Sequence, residues 1–268
     1  MPKTITSLKN PRVQSALKLR GRRSRARQGR IVVDGARELL RALEAGLDLT
    51  EVFVCPPLCQ SVECRRARSR LEETDTRLID VTPDVFAKLA YGKRAEGVVG
   101  VAAMPRRELA ELALPDRPLV AVMEGPEKPG NVGAVIRSAD AAGVSALVVA
   151  DRRTDLFNPN AIRASLGTIF TLPVCEATGP ETLAWLRDRG MNILAARVDG
   201  ETAYSDIDFS GATALVLGGE VAGLSPLWRA GDITGIRLPM LGVADSLNLS
   251  ATAAVLFYEA LRQRASPR

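Results

Sequence analysis

This 268-residue chain contains no histidine. The absence removes the side chain that most often serves as a general base near neutral pH and most often ligates a metal. Any chemistry here has to proceed without imidazole. Cysteine is scarce as well: Cys55, Cys59 and Cys64 fall within "CPPLCQSVEC", and Cys175 stands alone. Three thiolates can in principle hold one zinc ion, but unequal gaps and the missing histidine argue against any metal site. Reduced, incidental thiols are the expectation. No apolar run is long enough to span a bilayer, and the opening "MPKTITSLKN" has no apolar core of the kind an export signal needs. These absences together predict a cytoplasmic protein with no membrane partner.

Acid is missing from the first 30 residues, which hold ten bases from Lys3 to Arg30. Outside them the chain has 26 bases against 31 acids, so its net positive charge belongs to the leader. The stretch "KLRGRRSRARQGR", with Arg20, Arg22, Arg23, Arg25 and Arg27, suits a phosphate-binding arm, since clustered guanidinium groups gain from counterion release on a polyanion. It equally suits a solvated tail, and composition leaves both readings open. The remainder is ordinary for a soluble globular protein, 46% hydrophobic and 25% charged. The length suggests about two domains.

Periodicity divides the chain accordingly. After the leader (1–29), residues 30–104 alternate β-rich runs with helical ones: "RIVVD", a helix carrying Leu39, Leu40 and Leu43, "LTEVFV", "TRLIDV", a helix from Pro83, and "EGVVGVAAM". This reads as a compact α/β unit. "PRRELAELALPDRP", bounded by prolines, reads as a linker over 105–117. A second series over 118–268 has expected strands at 119–123, 146–150, 192–197, 214–218 and 235–239. Helices are expected near 131–142, 159–166, 179–189 and 246–264. Continuous apolar strands separated by helices indicate a parallel sheet covered on both faces.

Three turns of this second series fall just beyond the carboxyl ends of expected strands, where open α/β sheets bind ligands. The first, "EGPEKPGNVGAVIRSADAAG" (124–143), lacks both the G-x-G-x-x-G spacing and the Lys-Ser/Thr pair of a P-loop. It leaves Asn131 near a helix start and Arg137 further along. The second, "LVLGGEVAGLSP", has Gly218 and Gly219 for close backbone approach, with Glu220 exposed at the strand end. In the third, "IRLPMLGVADSLNLSATAAV", Pro239 halts the strand and Ser246-Leu247-Asn248 opens the last helix. Each alone is ordinary strand-to-helix punctuation; their coincidence points to a site.

The order of these three segments resembles the three motifs of the SpoU/TrmH branch of the SPOUT methyltransferases. "NPNAIRASLGTIFTLPV" (158–174) is similar to the family's connecting segment, and the resemblance spans about 118–264. More loosely, "ITSLKNPRVQSALKL" with "IVVDGARELLRAL" resembles the ribosomal-protein-like RNA-binding domain fused to several rRNA-modifying members. One departure is "GGEVAG", where many members carry a second acid after the glutamate and this chain has Val221-Ala222.

The resemblance implies a parallel α/β domain with a carboxyl-terminal trefoil knot, binding S-adenosylmethionine and pairing as a homodimer. It implies transfer of a methyl group to a ribose 2′-hydroxyl of RNA, with 23S rRNA the expected substrate. The cofactor pocket would comprise Leu217, Gly218, Gly219, Leu238, Met240, Ser246, Leu247 and Asn248. Arg137 would be the central catalytic group, reaching the substrate across the dimer interface, with Asn131, Glu220, Ser246 and Asn248 positioning it. Arginine is an improbable free base in proteins, so Arg137 is expected to bind a phosphate and stabilise developing alkoxide, with the proton leaving through that phosphate or a deprotonated guanidinium. Single-stranded RNA loops are the expected target, with little base stacking given 4% aromatics. The alternatives are a tRNA ribose methyltransferase, a catalytically silent RNA-binding protein of the same fold, and a dinucleotide-dependent oxidoreductase contradicted by its missing fingerprint.

Overall fold

The computed structural model describes residues 4–91 and 96–265. The chain forms two compact units, one of Met1–Pro105 with Phe157–Thr171, the other of Arg106–Leu156 with Leu172–Arg268. None of the described helices is long and apolar enough to cross a membrane.

In the first unit the expected basic leader is part of the fold. Asn10 accepts a hydrogen bond from Arg12 N and starts α1 (Pro11–Lys18), with proline in the first turn where it is tolerated. Val13, Ala16 and Leu19 are buried in the unit's core with Val32, Phe53, Val81 and Phe86. Helix α2 (Arg22–Gln28) ends at Gly29, which takes a left-handed φ of 59°. Then follow β1 (Arg30–Asp34), α3 (Ala36–Glu44), β2 (Leu49–Val54), α4 (Val62–Glu72), β3 (Arg77–Asp80), α5 (Pro83–Leu89) and β4 (Val98–Ala103). The sheet order is β1-β4-β2-β3, with β4 antiparallel to both its neighbours.

This folding corrects one expected RNA contact. Arg25 is 1% exposed, and its Nη1 donates to the carbonyls of Leu19 and Arg20, closing the corner between α1 and α2. It is a structural arginine. Arg20 is exposed but donates through Nη2 to the carbonyls of Lys88 and Ala90, while Arg22, Arg23 and Arg27 lie exposed on α2. The thiols also differ from expectation, because Cys59 and Cys64 form a disulfide. Ser61, capping α4 through Cys64 N, turns the chain so that the two Cα atoms stand 5.4 Å apart.

The expected linker is likewise structured: Leu112 is buried in the second unit's core, with Leu109 and Leu114 against it. The unit continues through β5 (Leu119–Glu124), α6 (Pro129–Ala141) and β6 (Ala146–Ala150). The chain then leaves for α7 (Pro159–Ala164) and α8 (Thr168–Thr171), which belong to the first unit, where Arg41 donates to the Leu166 carbonyl. It returns as β7 (Val174–Ala177), α9 (Gly179–Asp188), β8 (Asn192–Ala196), β9 (Thr202–Ala203), β10 (Thr213–Gly218), β11 (Ile233–Arg237) and α10 (Leu249–Ala265). The short β7 and β9 escape the periodicity; four and two residues are too few to establish a pattern.

The seven strands lie in the order β7-β6-β5-β10-β8-β11-β9, all parallel. From β5 the chain winds outward through β6 to β7, then crosses to build the other half from β8. The switch point is therefore between β5 and β10, where an open sheet leaves a crevice at its carboxyl ends. Helix α10 packs against α6 and β10 although it follows β11, so the 238–248 segment runs back across that end of the sheet. Its buried residues Leu249, Ala253, Leu256, Phe257 and Ala260 recur at helical spacing and define the packed face.

Candidate functional site

At the switch point the first two turns are tied together by a carboxylate on each. Glu124, the buried last residue of β5, accepts at 2.7 Å from both Ser225 N and Ser225 Oγ. Glu220, just past β10, accepts from Asn131 Nδ2 at 2.6 Å, from Glu127 N at 3.0 Å and from Lys128 N at 3.3 Å. Its charge thus sits on the amino-terminal turn of α6, where free N–H groups and the helix dipole favour an anion. Burial pushes the Glu220 carboxyl up, but the hydrogen bonds from Glu127, Asn131 and Lys128 outweigh it and hold the group below its ordinary value. A carboxylate so engaged is a clamp between loops and a poor proton acceptor.

The two glycines of the second turn are required by contact. A Cβ on Gly218 would lie 2.4 Å from the Gly223 carbonyl carbon, and one on Gly219 would lie 2.6 Å from the Gly125 oxygen. Backbone cannot yield to that, so no other residue fits either position. The resulting turn is closed by an antiparallel bridge between Gly219 and Gly223.

Beside this turn lies a cavity of about 760 Å³. Its wall includes Leu217, Gly218, Gly219, Glu220, Leu238, Met240, Ser246 and Leu247, so the second and third turns meet as expected from residues far apart in sequence. Asn248 departs from expectation. It is not part of the wall; its Oδ1 accepts from Ser250 N and Ser250 Oγ, capping α10, which begins at Leu249 rather than at Ser246. Asn131 stands in the first turn of α6, bound to Glu220, and reaches the cavity only through it. Arg137 is exposed on α6 and outside the wall.

A fourth strand end contributes what the sequence reading missed. Arg197, Val198 and Asp199, following β8, line the cavity with Arg229 and Arg237. Asp199 pairs with Arg229 at 2.7 Å and Arg197 at 3.3 Å, and Arg237 donates to the carbonyls of Gly200 and Glu201. The side-chain hydrogen bond from Arg229 holds the Asp199 carboxyl below its ordinary value. The signal was available in "RVDGE", which follows an expected strand as the other three turns do.

The cavity fits S-adenosylmethionine by volume and by lining. It is within the range of small-ligand sites, its walls carry Leu217, Leu238 and Leu247, and the glycine turn brings backbone where side chains would intrude.

Comparison with known proteins agrees with this geometry. Residues 118–258 match the SpoU rRNA Methylase family, and residues 10–100 match the MRM3-like substrate binding domain. The chain is 35% identical to a 23S rRNA (uridine(2479)-2′-O)-methyltransferase of Streptomyces viridochromogenes, over 98% of this chain and 93% of that protein. A crystal structure of an RNA 2′-O ribose methyltransferase superposes with a TM-score of 0.85 at 38% identity, covering 98% of this chain and 99% of the other. The SpoU methyltransferase AviRb from S. viridochromogenes, in complex with AdoMet, superposes with a TM-score of 0.87 at 32% identity, covering 97% and 100%. With its glycine turn, clamped first loop and matching sequence over both units, this chain belongs to the SpoU rRNA methylase family.

Proposed function

We propose that this protein methylates a ribose 2′-hydroxyl of 23S rRNA in the cytoplasm, as a homodimer in which Arg137 of one subunit serves the cavity of the other. The observation that carries the proposal is the strand-end cavity with its glycine turn, whose size and lining suit S-adenosylmethionine in a chain matching the SpoU rRNA Methylase family. Glu220 ties this turn to the first turn of α6, the helix from which Arg137 would reach the partner's cavity.

Leu217, Leu238 and Leu247 and the backbone of the glycine turn would hold S-adenosylmethionine, which supplies a methyl group activated on a sulfonium. The chain's own part is binding and orientation. The Arg137 guanidinium stays charged and offers paired donors to the phosphate beside the target ribose, where it also stabilises the 2′-oxygen as that atom loses its proton. Glu220 keeps Asn131 fixed in the first turn of this helix. The proton departs to the RNA phosphate, to water or to the exposed Asp245 carboxylate on the cavity wall, since the chain has no imidazole and the Glu220 carboxylate is occupied.

Support for pairing comes from apolar surface. Leu241 and Val243 in the segment before α10 are fully exposed, and Val255, Tyr258 and Leu261 form an exposed stripe on α10, the helix packed on α6. The return of residues 238–248 across the sheet is the passage that would close the trefoil knot.

The test is transfer of labelled methyl from S-adenosylmethionine to a 23S rRNA transcript, followed by mapping of the modified ribose. Arg137→Ala is expected to lower transfer at least ~100-fold, as loss of a charge-stabilising donor does, while calorimetry shows unchanged cofactor affinity. Equal activity in the variant removes Arg137 from the mechanism. A wild-type protein that binds RNA but not the cofactor would instead be a silent RNA-binding member of the fold.

A further inference from the structure

Besides the exposed arginines of α2, the first unit gathers cations at one end of its sheet. Strands β1, β2 and β3 are mutually parallel, and their amino ends share one edge of the sheet, with Arg77 level with Glu51 and Arg30 level with Ala103. At that edge Arg12, Arg30 and Arg77 surround an open cavity of about 440 Å³, completed by Pro11, Ser15, Thr50 and Glu51.

The cavity is built by a buried anion. The Glu51 side chain is 7% exposed and holds Arg12 Nη1 at 3.0 Å and Arg30 Nη2 at 3.3 Å, one on each oxygen. A register shift between Leu49 and Glu51 lets Thr50 Oγ1 donate to the Val101 carbonyl while accepting from Arg30 Nη2. Each guanidinium has five N–H donors, so these bonds fix its orientation and leave others unused. Arg30 Nε is among them, buried and without a partner. Arg77 is exposed and enters no ion pair among the described residues. Three cations against one carboxylate leave a net charge of +2 on a preorganised, concave surface.

We infer that this pocket binds a backbone phosphate of the rRNA substrate and is the anchor by which the first unit holds it. The inference rests on the RNA-modifying reading above and adds residues of the first unit that engage the polymer. Fixed guanidinium forks match phosphate oxygens in pairs and lose little rotamer entropy on binding. Such contacts position the RNA without reading its sequence.

The experiment measures affinity for a 23S rRNA transcript over about 50–200 mM salt, where each phosphate contact adds roughly one to the log–log slope. Arg77→Ala is expected to reduce that slope by about one, and Arg77→Glu to weaken binding about tenfold at about 100 mM salt. KM for RNA should rise with kcat and cofactor affinity unchanged. Arg77 is exposed at a strand start, so neither change threatens the fold. Arg37→Glu, an equal charge change on the exposed surface of α3 at the opposite sheet end, is expected to have a much smaller effect. Inorganic phosphate alone should show no saturable binding.

Unchanged affinity and slope in both Arg77 variants, or an equal loss in Arg37→Glu, overturns the assignment. Saturable phosphate binding with unchanged RNA affinity would assign the pocket to a free anion instead. If the wild type transfers no methyl while Arg77 variants still lose RNA affinity, the enzymatic reading fails and the pocket stands.

Discussion

Replacing Glu220 by glutamine tests whether the site is held together as described. The carboxylate accepts from Glu127 N on one oxygen, and from Asn131 Nδ2 and Lys128 N on the other. Glutamine has a single acceptor oxygen. Its amide would face one of these donors with another donor, so at least one bond is lost whichever way the amide turns. The charge at the start of α6 goes as well. A lost bond to a charged group costs about 1.5–3 kcal/mol in general, and the helix-terminus interaction about 0.3–1 kcal/mol. Glu220 is only partly buried and water can replace part of both, so we take about 2 kcal/mol as the expected loss. For a domain of the second unit's size that corresponds to roughly 4–8 °C in Tm. Cofactor affinity should change little, because the Gly218–Gly219 backbone retains its own bridge; kcat should fall, because the first loop loses its fixed relation to the cavity. Calorimetry and single-turnover methyl transfer separate the two effects. The pH dependence has a definite sign. Glu220 is lowered in the folded state, so its contribution is complete above its unfolded value and disappears as pH falls through the folded one. A Glu220→Gln protein with wild-type Tm and kcat would refute the clamp.

Three further predictions concern the glycine turn, subunit pairing and the first unit. Gly218→Val should abolish cofactor binding, since its Cβ alone would meet backbone at 2.4 Å. On the proposed homodimer, mixing that variant with Arg137→Ala should restore about a quarter of wild-type activity after subunit exchange, because half the dimers would hold one complete site of two; no recovery would refute the shared site. In the first unit, burial raises the Asp34 carboxyl from 3.8 to about 6, against a hydrogen bond from Tyr91 N and with Glu96 and Glu38 adding to the rise. A raised acid costs stability once ionised, a cost absent below the unfolded value and complete above about 6. Asp34→Asn should therefore raise Tm at pH 8 and leave it unchanged at pH 4, measured by differential scanning calorimetry.

The leader shows where sequence reasoning reached its limit. Its charge was plain, but α1 is amphipathic over only two turns, and the burial of Val13, Ala16 and Leu19 depends on strand residues as far along the chain as Val99 and Val101. Removing residues 1–28 would thus expose the first unit's core rather than trim an arm. Arg25 is hidden for the same reason: only the angle between α1 and α2 brings two carbonyls to its guanidinium. The 105–117 segment read as a linker because prolines bound it, yet its leucines fill a core.

What the chain alone determined was local and periodic. Apolar runs identified the five main strands of the second unit, and glycine, proline and small residues located three strand-end turns, because both signals come from backbone sterics and side-chain burial within a few residues. What tertiary structure decided was which ends meet. Strand order places β10 beside β5, and only then can Glu220 reach Asn131 and Glu124 reach Ser225 across some 90 to 100 residues. The same holds for Arg12, Arg30 and Arg77, far apart in sequence, which become one pocket because parallel strands begin at a common edge. Long-range pairing is a property of the packed whole, and no short window of sequence carries it.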